Sequence, residues 1–141
     1  DTHRELSRQF QDRKVHKTYF AVVGGLIQND EGSIDIPIRK DMDNPPKQCV
    51  DFVQGKPSLT HYEVLDRASD TTRVLLKPVT GRSHQLRMHL KEIGHPILGD
   101  NLYAPDALRD AASRLLLHAA TLTITHPATN ESLTFESSCP F

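Results

Sequence analysis

The chain has 141 residues, 37% hydrophobic and 25% charged, with 17 Lys and Arg against 18 Asp and Glu for a formal net charge of −1. That length supports one ordinary core, so a single domain over residues 1–141 is expected, and the balanced charge excludes the global basicity of many nucleic-acid binders. With no run of about 18 apolar residues and no charged-then-apolar leader, neither a spanning helix nor export is expected, and the expected setting is cytoplasmic.

Thr2 and Glu5 stand at capping-box spacing and Leu6 and Phe10 at i,i+4, which predicts an amphipathic helix over residues 2–14. Arg4, Arg8, Arg13, Lys14, His16 and Lys17 crowd this first segment. Residues 17–25 are β-branched and aromatic and end in Gly24-Gly25, the pattern of a strand, and residues 33–36 suggest a shorter one. Residues 39–56 hold Asn44-Pro45-Pro46 and Gly55 and show no clear period, so they read as a long loop, of the kind that often carries function. Arg39, Lys40 and Lys47 lie in it. Residues 59–67 and 72–79 read as a hairpin about 68–71, and 115–126 with 132–137 as a second about 127–130. Between the hairpins fall a helix over 84–93 and a shorter one over 105–113, capped by Pro105 or Asp106. Hairpins with separated helices argue for an α+β fold with a mainly antiparallel sheet.

The most informative stretch is residues 78–90. Thr80-Gly81-Arg82 runs into Ser83, His84 and Gln85 and then into an apolar stripe at Leu86, Leu90 and Ile93. Gly81 frees the backbone to turn, Ser83 is the expected N-cap and Gly94 the C-cap, so Arg82 belongs on a tight turn at a helix entrance, aimed into a cleft. On spacing alone, Arg82 is equally a structural partner for a nearby carboxylate. Tyr19 sits beside a basic run where an aromatic face could meet a base, although tyrosines in strands are more often core. The basic clusters, with Arg87, are either solvated faces or, if they converge, a phosphate-tracking surface.

Other chemistries are poorly supported. Among the eight histidines, His84 and His89 are five apart, which does not place both on one helix face, and neither a His-Glu-x-x-His motif nor a Cys pair accompanies them, so no metal is expected. His84 and Gln85 are expected to order the Gly-Arg turn by hydrogen bonds, while His95, His118 and His126 fall at strand ends or turns. Cys49 and Cys139 fit two reduced thiols. Without a Gly-x-Ser-x-Gly elbow, nucleophilic hydrolysis is disfavoured.

The 78–90 segment, with residues 17–23 (Lys-Thr-Tyr-Phe-Ala-Val-Val), 94–100 (Gly-His-Pro-Ile-Leu-Gly-Asp) and Leu117-His118-Ala119, closely resembles the RluA family of RNA pseudouridine synthases. The resemblance extends over nearly the whole chain. It implies the synthase fold and cofactor-free isomerisation of uridine to pseudouridine in hairpin loops of ribosomal RNA, tRNA or both, by a monomer. Arg82 then matches the family arginine that pairs with the attacking aspartate, and Tyr19 the tyrosine that stacks on the target base and is proposed to move a proton at the end of the reaction. Leu117 falls in a segment that resembles the apolar wall of the pocket, a position that core packing explains nearly as well. Lys17, Arg39, Lys40, Lys47 and Arg87 are expected to contact the RNA backbone. The family aspartate lies in a His-Arg-Leu-Asp segment followed by a Thr-Ser-Gly turn. His3-Arg4-Glu5-Leu6 lacks that order and continuation, and Asp100 falls in a segment of structural standing. The 141 residues are thus expected to be the C-terminal part of a catalytic domain, inactive alone, with a non-catalytic RNA-binding module as the alternative.

Overall fold

The computed structural model describes residues 15–125 and 132–141. The helix expected over 2–14, the turn at 127–130 and His126 lie outside the described residues. Those described form eight strands, β1 (Val15–Gly24), β2 (Glu31–Asp35), β3 (Ile38–Lys40), β4 (Gln48–Val50), β5 (Leu59–Arg67), β6 (Thr71–Pro78), β7 (Leu117–Thr125) and β8 (Ser132–Glu136). Two helices, α1 (Gln85–Glu92) and α2 (Asp106–Arg109), lie between β6 and β7. Six strands build one sheet in the order β2-β5-β6-β1-β7-β8, every neighbouring pair antiparallel, while β3 and β4 pair separately. The fold is α+β, as the hairpin pattern predicts.

Both predicted hairpins form, and β1 is inserted between them, pairing with β6 on one side and β7 on the other. Period-two alternation sorts its side chains. Ala21 and Val23 are fully buried and meet Val74 and Leu76 of β6 on the core face, where Leu86 and Leu90 of α1 close over them. The opposite face carries Arg73 and Lys77 toward solvent. An eight-residue helix is marginal in water, so α1 owes its existence to this packing. It ends at Gly94, in the left-handed region with φ 89°, where the Gly94 N–H donates to Lys91 O and the His95 N–H to Leu90 O, the hydrogen-bond pattern of a Schellman cap. Met88, on another side of α1, joins Ile38 and Tyr103 in a second small core under β3 and β4.

Three local expectations need correction. Residues 39–56 are not a bare loop, since they contain the end of β3 and all of β4, strands of three residues that leave no periodic trace in sequence. The helix expected over 105–113 shrinks to the four residues of α2. At the entrance of α1 the capping residue is His84 rather than Ser83, with φ 55° and ψ 19° and no side-chain cap. Gly81 is not among the residues with positive φ, so the backbone turns at a histidine and not at the glycine.

Candidate active site

The C-terminal end of β6, the following turn, the first turn of α1, the start of β1 and the approach to β7 enclose a cavity of about 430 Å³, in the range of small-molecule sites. Lys17 and Tyr19 line it from β1, Arg82, His84 and Arg87 from the turn and helix, and Leu115 and Leu117 from the far side. The alternation that buries Ala21 and Val23 in the core places Lys17 and Tyr19 on that same face, farther along the strand, so core and pocket are one continuous surface. Tyr19 and Leu117 are half-buried and pack against the core's edge, which leaves each with a share in both. The register of the β1–β7 ladder shifts between Thr18 and Tyr19, within the stretch of β1 that lines the site.

Five of the eight expected site residues therefore meet at one cavity. Arg39, Lys40 and Lys47 instead sit on and beside the β3–β4 pair. Arg39 donates to Asp51 at 2.7 Å, and this bond, with the Val53 and Gln54 N–H groups, holds the Asp51 carboxyl at about 2. Lys40 is exposed and Lys47 half-buried beside Gln48. Leu115, not singled out in the sequence, also lines the cavity, as does Thr80 of the Thr-Gly-Arg turn. Leu115 was discoverable from its spacing, two residues before Leu117 on the same face.

Arg82 is held by its backbone. Its N–H donates to Gln85 Oε1 at 3.1 Å, its carbonyl accepts from the Gln85 N–H at 3.1 Å, and its Nε donates to Pro57 O at 3.3 Å. Gln85 orders the turn as expected, and its Oε1 also accepts from the Thr80 hydroxyl at 2.6 Å. Among the described residues Arg82 has no carboxylate partner, and none of the cavity-lining side chains is acidic. An exposed guanidinium on a fixed turn, in a basic slot, is set to receive an anion.

Arg87 is differently placed. Its Nε and Nη2 donate to the two oxygens of Asp100 at 3.1 and 2.6 Å, and its guanidinium lies 5.4 Å from the Tyr103 ring centroid. Asp100 is fully buried, and burial alone would raise its pKa. Arg87 and the Leu102 and Tyr103 N–H groups outweigh that and hold it below the ordinary value. Asp100 is thus a structural carboxylate, and it leaves Arg87 little net charge to offer the pocket. Tyr103 OH accepts from the Gln48 N–H at 2.8 Å and meets His84 Nδ1 at 2.9 Å, joining β4 to the pocket wall. Burial, then the Arg87 charge, push the His84 pKa below its usual value, so it is neutral near pH 7.

Residues 1–92 match the family described as RNA pseudouridylate synthase. Over 139 residues the chain is 53% identical to the dual-specificity RNA pseudouridine synthase RluA of Escherichia coli (strain K12), covering 98% of this chain and 64% of that protein. The protein of the same name from Haemophilus influenzae is 50% identical over the same shares. The chain thus spans about 64% of the length of these curated relatives. Among solved structures, human RNA pseudouridylate synthase domain containing 1 superposes with a TM-score of 0.84 at 36% identity, covering 97% of this chain and 60% of that one.

Proposed function

This chain belongs to the RNA pseudouridylate synthase family, and from that premise we propose that the protein of which it is part isomerises uridine to pseudouridine in stem-loops of ribosomal RNA, tRNA or both. The observation that carries the reading is the convergence of Arg82 and Tyr19 on one cavity with no acidic lining among the described residues. In this scheme the attacking aspartate comes from residues other than those described and pairs with Arg82. The fixed guanidinium keeps it ionised, lowering its pKa by on the order of one to three units. The aspartate detaches the uracil, which turns in the pocket and is rejoined through carbon, with no cofactor.

A uridine inside folded RNA must leave its stack before this chemistry begins. We assign Tyr19 to the face of the extruded base and Leu115 and Leu117 to the apolar wall behind it. Lys17 and the β3–β4 pair, with Arg39, Lys40 and Lys47, take the flanking phosphates. Arg87 contributes mainly by holding Tyr103 and the His84 wall. Gly81 meets no atom within 4 Å of an added Cβ and is not strained, so neither crowding nor the turn calls for glycine, and we assign the open space to the approach of a ligand.

Release of tritium from 5-tritiated uridine in an RNA hairpin tests the reading. The whole protein is expected to release it and the 141-residue chain alone is not. In the whole protein, Arg82→Lys should lose turnover far more than RNA affinity, because lysine supplies charge without the planar fork. RNA binding without tritium release by the whole protein would mark a binding module instead. Release by the 141-residue chain alone would show that its own residues carry the attacking group.

A further inference from the structure

Resting on the reading of Arg82 given above, we propose that Gln85, Thr60 and His89 form a positioning chain that couples the Arg82 backbone to the protonation of one buried imidazole. The hydrogen bonds leave one consistent placement of protons. Gln85 Oε1 accepts from the Arg82 N–H and the Thr80 hydroxyl, so its Nε2 donates, to Leu59 O and to Thr60 Oγ1, both at 2.9 Å. Ile36 O can only accept, so His89 Nε2 carries the imidazole proton and donates to it at 2.9 Å. In the neutral ring Nδ1 then accepts the Thr60 hydroxyl hydrogen at 2.8 Å.

Gln85 is 3% exposed, and Thr60 and His89 are 0% exposed, so water does not stand in for a lost partner. Gln85 and His89 lie four apart on α1, which presents both to β5, where Thr60 stands. The charge that acts on the imidazole is Asp35 at the end of β2, and the other groups bonded to it, Thr60 and Ile36 O, are neutral. Burial outweighs both Asp35 and the Ile36 bond and keeps the histidine below its ordinary value of 6.5.

A proton on His89 Nδ1 would turn two donors onto Thr60 Oγ1 and leave the threonine hydrogen without an acceptor among the described residues. The group that must yield is Gln85, whose Nε2 is the other donor to Thr60 Oγ1 and whose Oε1 holds the Arg82 N–H, so a shift of that amide away from Thr60 is transmitted to the Arg82 backbone. Thr60 and His89 lie outside the cavity lining and act on it only through Gln85 and Arg82, while Gln85 also borders the cavity.

The test uses the whole protein with Thr60→Val, which keeps the shape and removes the hydroxyl, and Thr60→Ser, which keeps the hydroxyl. Thr60→Val is expected to lower kcat about tenfold while RNA affinity stays within about twofold, as for an interaction felt in the transition state. The acid limb of its kcat profile should move to lower pH, since valine removes the hydroxyl oxygen that a protonated Nδ1 would donate to and the charged ring loses more by that than the neutral one. Thr60→Ser should restore both. In the unmodified protein, 15N NMR should show His89 as the Nε2–H tautomer, titrating below 6.5. Equal behaviour of the Val and Ser variants in rate and acid limb would overturn the proposal, as would a proton on Nδ1. If the whole protein makes no pseudouridine, the reading of the pocket fails, and the NMR tautomer still decides the chain.

Discussion

At the scale of single residues, Tyr19 and Gly81 make opposite demands on the pocket. Tyr19 is half core and half surface, so its ring and its hydroxyl can be separated by substitution. Loss of one base–aromatic stack costs about 1–3 kcal/mol. In the whole protein Tyr19→Phe should bind an RNA hairpin like wild type and slow formation of final product, while Tyr19→Ala should weaken binding as well. Equilibrium binding and single-turnover rates on one hairpin measure both effects, and wild-type values for both variants would return Tyr19 to the core. At Gly81 a methyl group meets open space, so Gly81→Ala should leave the thermal midpoint within about 1 °C and reduce turnover. A drop in the midpoint with normal turnover would show that the glycine serves the turn. Composition pointed to Gly81 as the turning residue, and His84 holds the left-handed backbone instead. Propensity alone does not reveal this, because the strain of about 1–2 kcal/mol is tolerated only where Tyr103 holds the ring from outside the local sequence.

Among elements, α1 and its entrance carry both histidines whose pKa is shifted among the described residues. His84 at its entrance and His89 within it are both held below 6.5, chiefly by burial. In the unfolded chain each takes up a proton as pH falls through about 6.5, whereas in the fold each resists until lower pH. The unfolded state therefore binds more protons in that window, and stability falls as pH falls, with little change from these groups above it. Urea unfolding at pH 7.5 and 5.5 should show a lower midpoint at 5.5, and His89→Gln should shrink the difference. An unchanged difference in that variant would remove His89 from the account. The outline of α1 was visible in the sequence because Leu86, Leu90 and Gly94 give it a stripe and a stop. The strands β3 and β4 were not, because three residues are too few to carry a period and their pairing partners stand eight to twelve residues apart.

For the molecule as a whole, the longer strand runs and both hairpins followed from local pattern, whereas the insertion of β1 between β6 and β7 did not. That pairing joins segments about 50 and 100 residues apart, which alternation does not encode. The pocket shares this limit: Arg82 and Tyr19 were paired by likeness to a family, and spacing alone left each with a structural alternative. The central place of β1 has a dynamic result. Hydrogen-bonded on both edges and buried at Ala21 and Val23, its amides should exchange with deuterium only when the whole sheet opens. The exposed turn at 80–83 should exchange sooner, through local opening. Exchange mass spectrometry on the 141-residue chain reads both rates, and equal protection in the two segments would contradict the ranking. Tyr19 is thereby mounted on the last part of the molecule to let go and Arg82 on a part that breathes by itself, so the two sides of the pocket keep separate clocks.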